Sequence, residues 1–393
     1  MTEIDLKTMR IERRHRLIAE MERSGLDAVV LLYPMNQEYV GVSRPCAEPM
    51  RIHYEPVIVV LTRADEMHVW TSMPEAVAGQ VPSATLHPEL AIEMPSGVTA
   101  LASALSDIVG KGARVGFDEL TSSMLNDLSA FANQFEMVDA SVATVPARLI
   151  KTPEEIECMR VCQGITETAM YEVEPLVRPG VRQNELTRVL LEKAYELGIE
   201  GTYVDPVWTV IPSSYVGPAT MLGGPTFPLP HDDRFLFDGD LVVTDAGLVW
   251  NGYHSDFGKT WLCSHSPERS LSKELRRCHE RWEQVIETAK KGMKPGRTCA
   301  DVVRDVAAVE SAYRMPHLFL GHGIGLDSNE MPLLGSDMGL EVEDTFELAA
   351  GMIIVLEPAI WEDGIGGFRS EEMFVITETG CEQITTYPCT PFE

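Results

Sequence analysis

Four acids and one histidine stand in settings where neither residue type is at ease. Asp245 lies in the apolar run "DLVVTDAGLVW", and Asp256 follows in "YHSDFGKTW". Between them stands Asn251-Gly252, flanked by strand-forming residues, the strongest short signal for a tight hairpin. If those two residues form the turn, Trp250 opposes Tyr253 and Asp245 opposes Gly258. Asp256, two residues from Gly258, then shares a sheet face with Asp245. Two like charges on an apolar hairpin are costly unless a cation neutralises them. On an edge hairpin open to water, the same pair needs no cation.

A second pair follows in "GMIIVLEPAIWEDGIGGFRSEEMFVIT". Glu357 ends a strand of core composition. The "DGIGG" turn comes next, and Glu371 sits in the returning strand. Arg369 falls on the same face as Glu371 by the period of two, and Glu372 points the other way. Glu371 alone also reads as a surface acid, whereas "MIIVLEP" makes Glu357 hard to place in water. Between the two pairs lies "LFLGHGIGLDSNEMPLL", with His322 between two glycines that would let backbone approach bound metals closely. A lone histidine is most often a core or surface residue. Four carboxylates with one imidazole instead form an oxygen-rich, nitrogen-poor set, which suits two divalent ions such as Mn²⁺, Co²⁺, Fe²⁺ or Zn²⁺.

Those residues need a scaffold. Residues 1 to about 145 alternate helix and strand: a charged helix ending at "RSGLD", then the strands "AVVLLY", "PVIVVLT", "EMHVWTS" and "ARVGFDE", with helices near 98–110 and 121–134. The style changes near 150. Thr152, Pro153, Glu154 and Glu155 open a long helix that "RPG" stops. "RQNELTRVLLEKAYELG" is a second helix, and two amphipathic helices cover about 267–292 and 299–313. Helices beside antiparallel hairpins predict an α+β second domain. Residues 212–231 are rich in Pro and Gly and read as a long functional loop.

The chain has 393 residues, enough for two domains, and its net charge of −28 argues against nucleic acid or an anionic membrane as partner. The N-terminus has charges throughout and no apolar core of a signal peptide. No run of about 18 apolar residues predicts a membrane span. The eight cysteines are scattered without a CxxC and read as reduced thiols of a cytoplasmic protein.

The order Asp-x10-Asp, Gly-His-Gly-x-Gly, Glu-Pro, Arg-x-Glu resembles the pita-bread metallopeptidases of family M24, a group with methionine aminopeptidase, aminopeptidase P, prolidase and creatinase. The resemblance covers nearly the whole chain. It implies a creatinase-type α/β N-terminal domain over 1–145 and a pita-bread catalytic domain over 146–393. It implies that Asp245 chelates one metal, Asp256 and Glu371 bridge both, and His322 and Glu357 bind the other. By the same resemblance His231, in "PLPHDD", is a substrate-side histidine. Asn329 stands where the proline-specific peptidases commonly carry a second histidine, which an amide cannot replace as a proton shuttle. Arg369 is expected to orient Glu371, and His254, two residues before Asp256, either supports that ligand or simply ends its strand.

The function implied is hydrolysis of an amide or Xaa-Pro bond in a dipeptide or other small molecule. Water activated between the two metals attacks, and Glu357 relays a proton to the leaving nitrogen. The alternative is a non-peptidase of the creatinase branch, a C–N hydrolase resembling those for creatine or ectoine, or a lyase for dimethylsulfoniopropionate. A non-catalytic binding module is a third reading, disfavoured by the intact ligand set. The resemblance also implies a homodimer, with the cluster Met50 to Pro56 near the partner's site.

Overall fold

The first helix, Leu6–Ser24, starts where the Asp5 carboxylate accepts a hydrogen bond from the backbone of Thr8. It stops at Gly25, whose φ of +71° is the left-handed conformation that glycine adopts without a Cβ penalty. The computed structural model describes residues 4–42, 57–211, 233–266, 271–311, 319–362 and 364–388. Two compact units divide at 148/149: Asp5–Arg148, and Leu149–Glu393 together with Met1–Ile4. His231, Met50 to Pro56 and the 212–231 loop lie outside the described residues.

The first unit holds a six-stranded mixed sheet in the order Thr85–His87, Met67–Trp70, Ile58–Thr62, Ala28–Leu31, Arg114–Phe117, Glu136–Asp139. The two central strands, Ala28–Leu31 and Ile58–Thr62, are buried at every position, which explains their near-continuous apolar runs. The outermost strands escaped the sequence reading because they are short and largely polar. The helix expected over 121–134 is two shorter ones, Ser122–Asn126 and Ser129–Ala132. Asp127 leaves the helical region (φ −121°, ψ 48°) and its carboxylate takes the Ser129 hydroxyl at 3.0 Å, a local bond that competes with helix continuation.

The second unit opens with helix Pro153–Val173, whose capping box pairs Thr152 with Glu155 in both directions. Helix Gln183–Glu196 follows. The next helix begins at Lys273 behind an N-cap at Ser272, later than the 267 expected, because Ser272 takes the free amide of Leu275. Helix Cys299–Val309 starts with a Thr298–Asp301 capping box.

Two sheets carry the site. In one, Leu241–Trp250 lies between Gly201–Ile211 and Phe257–Leu262, and also pairs with the short Tyr253–His254. The other has the antiparallel order Glu330–Leu334, Gly321–Gly323, Ile353–Leu356, Glu372–Ile376, Cys381–Gln383. A ribbon of Ala359–Glu362 and Gly366–Arg369 extends from it. Each sheet closes its own apolar core: Trp208, Trp261 and Leu190 in the first, Trp282, Ile354 and Phe374 in the second. No helix among the described residues is long and apolar enough to cross a membrane. No disulfide links the six described cysteines.

Candidate metal centre

The first hairpin has the register that its Asn-Gly turn dictates: Trp250 faces Tyr253, and Asp245 faces Gly258. Asn251 and Gly252 both take positive φ, 49° and 77°, as a primed turn requires. The returning strand is interrupted at Ser255-Asp256. That break is held from the side by helix Pro153–Val173: Thr166 Oγ1 lies 2.7 Å from Ser255 Oγ, and Gln163 Oε1 accepts the Asp256 amide at 3.3 Å. Asp256 and Asp245 bring carboxylate oxygens within 4.8 Å of each other.

The second hairpin is interrupted in the same way. Strand Ile353–Leu356 ends at Glu357, whose amide donates to Leu320 O at 3.0 Å. On the return, Arg369 closes one strand and Glu372 opens the next, leaving Ser370 and Glu371 between them. The Glu371 amide donates to Gly258 O at 2.8 Å, so the two hairpins are stitched together where their acids lie. Any Cβ at Gly258 would sit 2.4 Å from the Glu371 carboxyl carbon, so the close approach requires glycine there.

His322 enters from strand Gly321–Gly323 of the second sheet, between Glu330–Leu334 and Ile353–Leu356. Its Nε2 is 3.1 Å from Glu357 Oε1 and 3.3 Å from Asp256 Oδ2. Its Nδ1 lies 2.8 Å from the Gly323 carbonyl, which fixes that nitrogen as the donor and aims Nε2 at the acids. The flanking glycines serve a different purpose from the one expected. A Cβ at Gly321 would meet Val355 O at 2.1 Å, and one at Gly323 would meet Met331 O at 2.4 Å. Neighbouring strands, not metals, demand those glycines.

Ligand-type oxygens of Asp245, Asp256 and Glu371 all lie within 4.8 Å of one another. Arg369 reaches more acids than the one expected: its Nη2 is 2.5 Å from Glu371 Oε1, 2.6 Å from Glu357 Oε2 and 3.3 Å from Asp245 Oδ2. Four carboxylates therefore face one guanidinium and one imidazole, leaving surplus negative charge in a buried site. Burial pushes Asp245 up to about 6, against the pull of Arg369 and with help from Asp256 and Glu357. Burial likewise holds Glu371 well above the ordinary carboxylate range, and Arg369 only partly opposes it. Glu357 goes the other way: burial is outweighed by His322 and Arg369, which bring it to about 2. His322 is raised to about 10, because its bonds to Asp256 and Glu357 outweigh burial.

The donor set fits divalent cations. Glu371 Oε2 is buried and has no hydrogen-bond partner, an orphan acceptor that a cation would satisfy. Cations would also offset the mutual repulsion among Asp245, Asp256, Glu357 and Glu371.

Two further sequence candidates have their own partners. His254 is buried, with Nδ1 3.1 Å from Gly325 O and its ring edge-on to Tyr203. The pairing register is the same on both sides of Ser255-Asp256, with His254 opposite Val249 and Phe257 opposite Ala246, and the Asp256 charge acts on the His254 ring. Asn329 is exposed on the tight loop after Leu326 and accepts from Ser328 Oγ at 3.4 Å. Its neighbour Glu330 is more strongly anchored, in a buried ion pair with Lys151 at 3.1 Å and a bond to the Asp327 amide. Gln163, Gly258 and Lys259 were missed by the sequence reading. A lysine inside the apolar strand "FGKTWL" was the available signal, since a buried cation needs an acid facing it.

Comparison with known proteins places this geometry. The description "Metallopeptidase family M24" matches residues 157–378, and "Creatinase/Prolidase N-terminal domain" matches residues 13–150. The Xaa-Pro dipeptidase of Pyrococcus furiosus is 26% identical over 395 residues, covering 95% of this chain and 97% of that protein. The creatinase of a Bacillus species is 26% identical, covering 70% of this chain and 66% of that protein. Among solved structures, the prolidase from Thermococcus sibiricus superposes with a TM-score of 0.78 at 18% identity, covering 96% of each chain. Together with the paired hairpins and their buried acids, these matches show a creatinase-type N-terminal domain followed by a pita-bread catalytic domain, and the chain belongs to metallopeptidase family M24.

Proposed function

We propose that this protein is a dinuclear, divalent-metal-dependent hydrolase that cleaves the amide bond before proline in small peptides. The observation that carries the metal reading is the buried Glu371 Oε2, without a hydrogen-bond partner among the described residues, in the cluster with Asp245 and Asp256. The substrate reading rests on the Xaa-Pro dipeptidases that match almost the full chain, against the shorter match to creatinase.

Asp245, Asp256, His322, Glu357 and Glu371 would hold two ions of the Mn²⁺, Co²⁺, Fe²⁺ or Zn²⁺ kind. Bound there, such ions supply Lewis acidity and a water acidified enough to attack at neutral pH. The chain's own residues do the rest. Arg369 fixes the carboxylates of Glu357, Glu371 and Asp245 in orientation. His322 commits Nδ1 to Gly323 O and so directs Nε2 at the Glu357 and Asp256 carboxylates, where a ligand role would place it. Glu357 is assigned the relay of a proton, taken up from the attacking water and passed to the leaving nitrogen, and His231 is assigned a substrate-side hydrogen bond. The same reading includes a homodimer, which light scattering of the active species tests.

The deciding experiment loads the protein with Mn²⁺ or Co²⁺ and compares Xaa-Pro dipeptides with creatine, ectoine, ureas and betaines. Xaa-Pro cleavage with metal-dependent release of proline is the expected result. Turnover of a small metabolite without dipeptide cleavage would replace the peptidase reading by the creatinase-branch one. Asn329→His refines the outcome. In a peptidase it should raise kcat/KM on Xaa-Pro dipeptides, by up to about 10²-fold, the lower end for a general acid–base group. In an enzyme for another substrate it should lower the native activity and leave dipeptides uncut.

A further inference from the structure

Glu371 and Glu372 are chemically identical neighbours, yet only Glu371 faces the carboxylate cluster. Glu372 is fully buried on the opposite side, in an ion pair with Lys259, which is also fully buried. Nothing in the metal chemistry uses that pair. It has a complete set of supports nonetheless. The second Glu372 oxygen accepts from Thr385 Oγ1 at 2.6 Å and from Gln383 Nε2 at 2.9 Å, and Ser370 Oγ lies 3.3 Å from the first. Lys259 Nζ also donates to the Glu371 carbonyl at 3.3 Å.

Burying two charges is costly, and such a pair is often no more stabilising than apolar residues of the same size. Its value must therefore be sought in geometry. The backbone at Ser370-Glu371 belongs to neither flanking strand; the Glu371 amide donates to Gly258 O, and Glu372 is the first paired residue of its strand, opposite Leu356. A slip of one residue in a strand exchanges the faces of all its side chains. Here it would bring Glu372 to the site and withdraw Glu371. In the slipped arrangement Lys259, fixed on the neighbouring strand next to Gly258, would lose its acid and remain buried and unpaired. Breaking a buried pair in this way is strongly destabilising, because it leaves an uncompensated buried charge.

We propose that the Lys259–Glu372 ion pair is a register lock. It decides which of two adjacent glutamates enters the metal centre, and Lys259 is a positioning residue that acts through Glu371. This inference rests on the metal reading above, and the two can fail separately.

The test titrates metal-free protein with Co²⁺, following heat and the visible d–d bands, in the wild type, Lys259→Arg, Lys259→Met and the double variant Lys259→Met/Glu372→Leu. If the wild type binds no Co²⁺, the metal reading itself is wrong. Given a wild type that binds two ions, the lock predicts that Lys259→Met weakens binding by about 10–100-fold, as loss of a ligand-orienting partner typically does. The double variant restores charge balance and should keep the wild-type melting temperature, yet show the same weakened binding and altered bands. Lys259→Arg retains the pairing and should bind within a few-fold of wild type. A folded Lys259→Met or double variant with wild-type affinity, stoichiometry and spectrum overturns the proposal. If Lys259→Met does not fold, Glu372→Gln, which keeps the shape and removes the charge, decides by the same readings.

Discussion

Asp118 in the first unit, half-buried, and Glu371 in the second, buried, are both carboxylates held above their ordinary range, chiefly by loss of solvent. They differ in what surrounds them. Asp118 accepts hydrogen bonds from the Leu32 amide at 2.7 Å, the Tyr33 amide at 3.2 Å and Asn36 Nδ2 at 3.0 Å. Its acceptor capacity is largely used, and the acid that adds to its rise is its chain neighbour Glu119. Glu371 has one oxygen on Arg369, another with no partner at all, and other acids close by. A raised carboxylate therefore does not by itself mark a functional site. An unsatisfied one, in a place where charge of one sign accumulates, does.

Removing either proposed bridging acid tests this contrast most severely. Asp256→Ala and Glu371→Ala should each abolish tight binding at the paired site and reduce hydrolysis by at least about 10³-fold, as expected when the chemistry depends on the ions. Full metal content by elemental analysis, with unchanged activity in both variants, would erase the distinction between the two acids. Gly258→Ala asks for less: its methyl would press on the Glu371 carboxylate without removing any donor. A fall in metal affinity of about 10–100-fold is expected, in the range for disturbed ligand orientation. Wild-type affinity would show that Glu371 relaxes freely and is not held in place.

Asp118→Asn should leave metal affinity and kinetics alone and act on stability. Asp118 rises to about 6 in the folded state, so between its ordinary range and about 6 the folded chain holds a proton that the unfolded chain has released. The first unit should lose stability as pH rises through that window, because the folded state binds the extra proton. Asn keeps the neutral shape, so the variant should flatten this pH dependence and cost about 1–3 kcal/mol at most, from imperfectly matched donors. Denaturant melts across pH 4–7 read it. A loss of metal binding in this variant would mean that the two acids are not as separate as their surroundings indicate.

The two units were also unequally legible in the sequence. The Asn251-Gly252 turn dictated the Asp245–Gly258 register, because a primed two-residue turn leaves no freedom in pairing. The Thr152 cap and Pro153 marked the start of their helix for similarly local reasons. The edge strands Thr85–His87 and Glu136–Asp139 left no such mark, since too little of either is buried to impose a pattern. At the site, residue types and order were readable, but the interruptions were not. Period-two reasoning assumes an unbroken strand, and the acids sit where the strands break. It thus put Arg369 beside Glu371 without seeing that Arg369 also spans Glu357 and Asp245. It turned Glu372 away from the site without supplying Lys259 as its partner.

Those interruptions have a consequence for how the site can be watched. The amides of Asp256, Glu357 and Glu371 are not protected by regular ladders. Each depends on one acceptor elsewhere: Gln163 Oε1, Leu320 O and Gly258 O. Their hydrogens should exchange with solvent through small local openings, while the buried strands around them exchange only through larger unfolding events. An ion that ties the three side chains together closes those openings. Exchange at three backbone positions becomes an occupancy gauge for the centre, one that needs no substrate and no turnover.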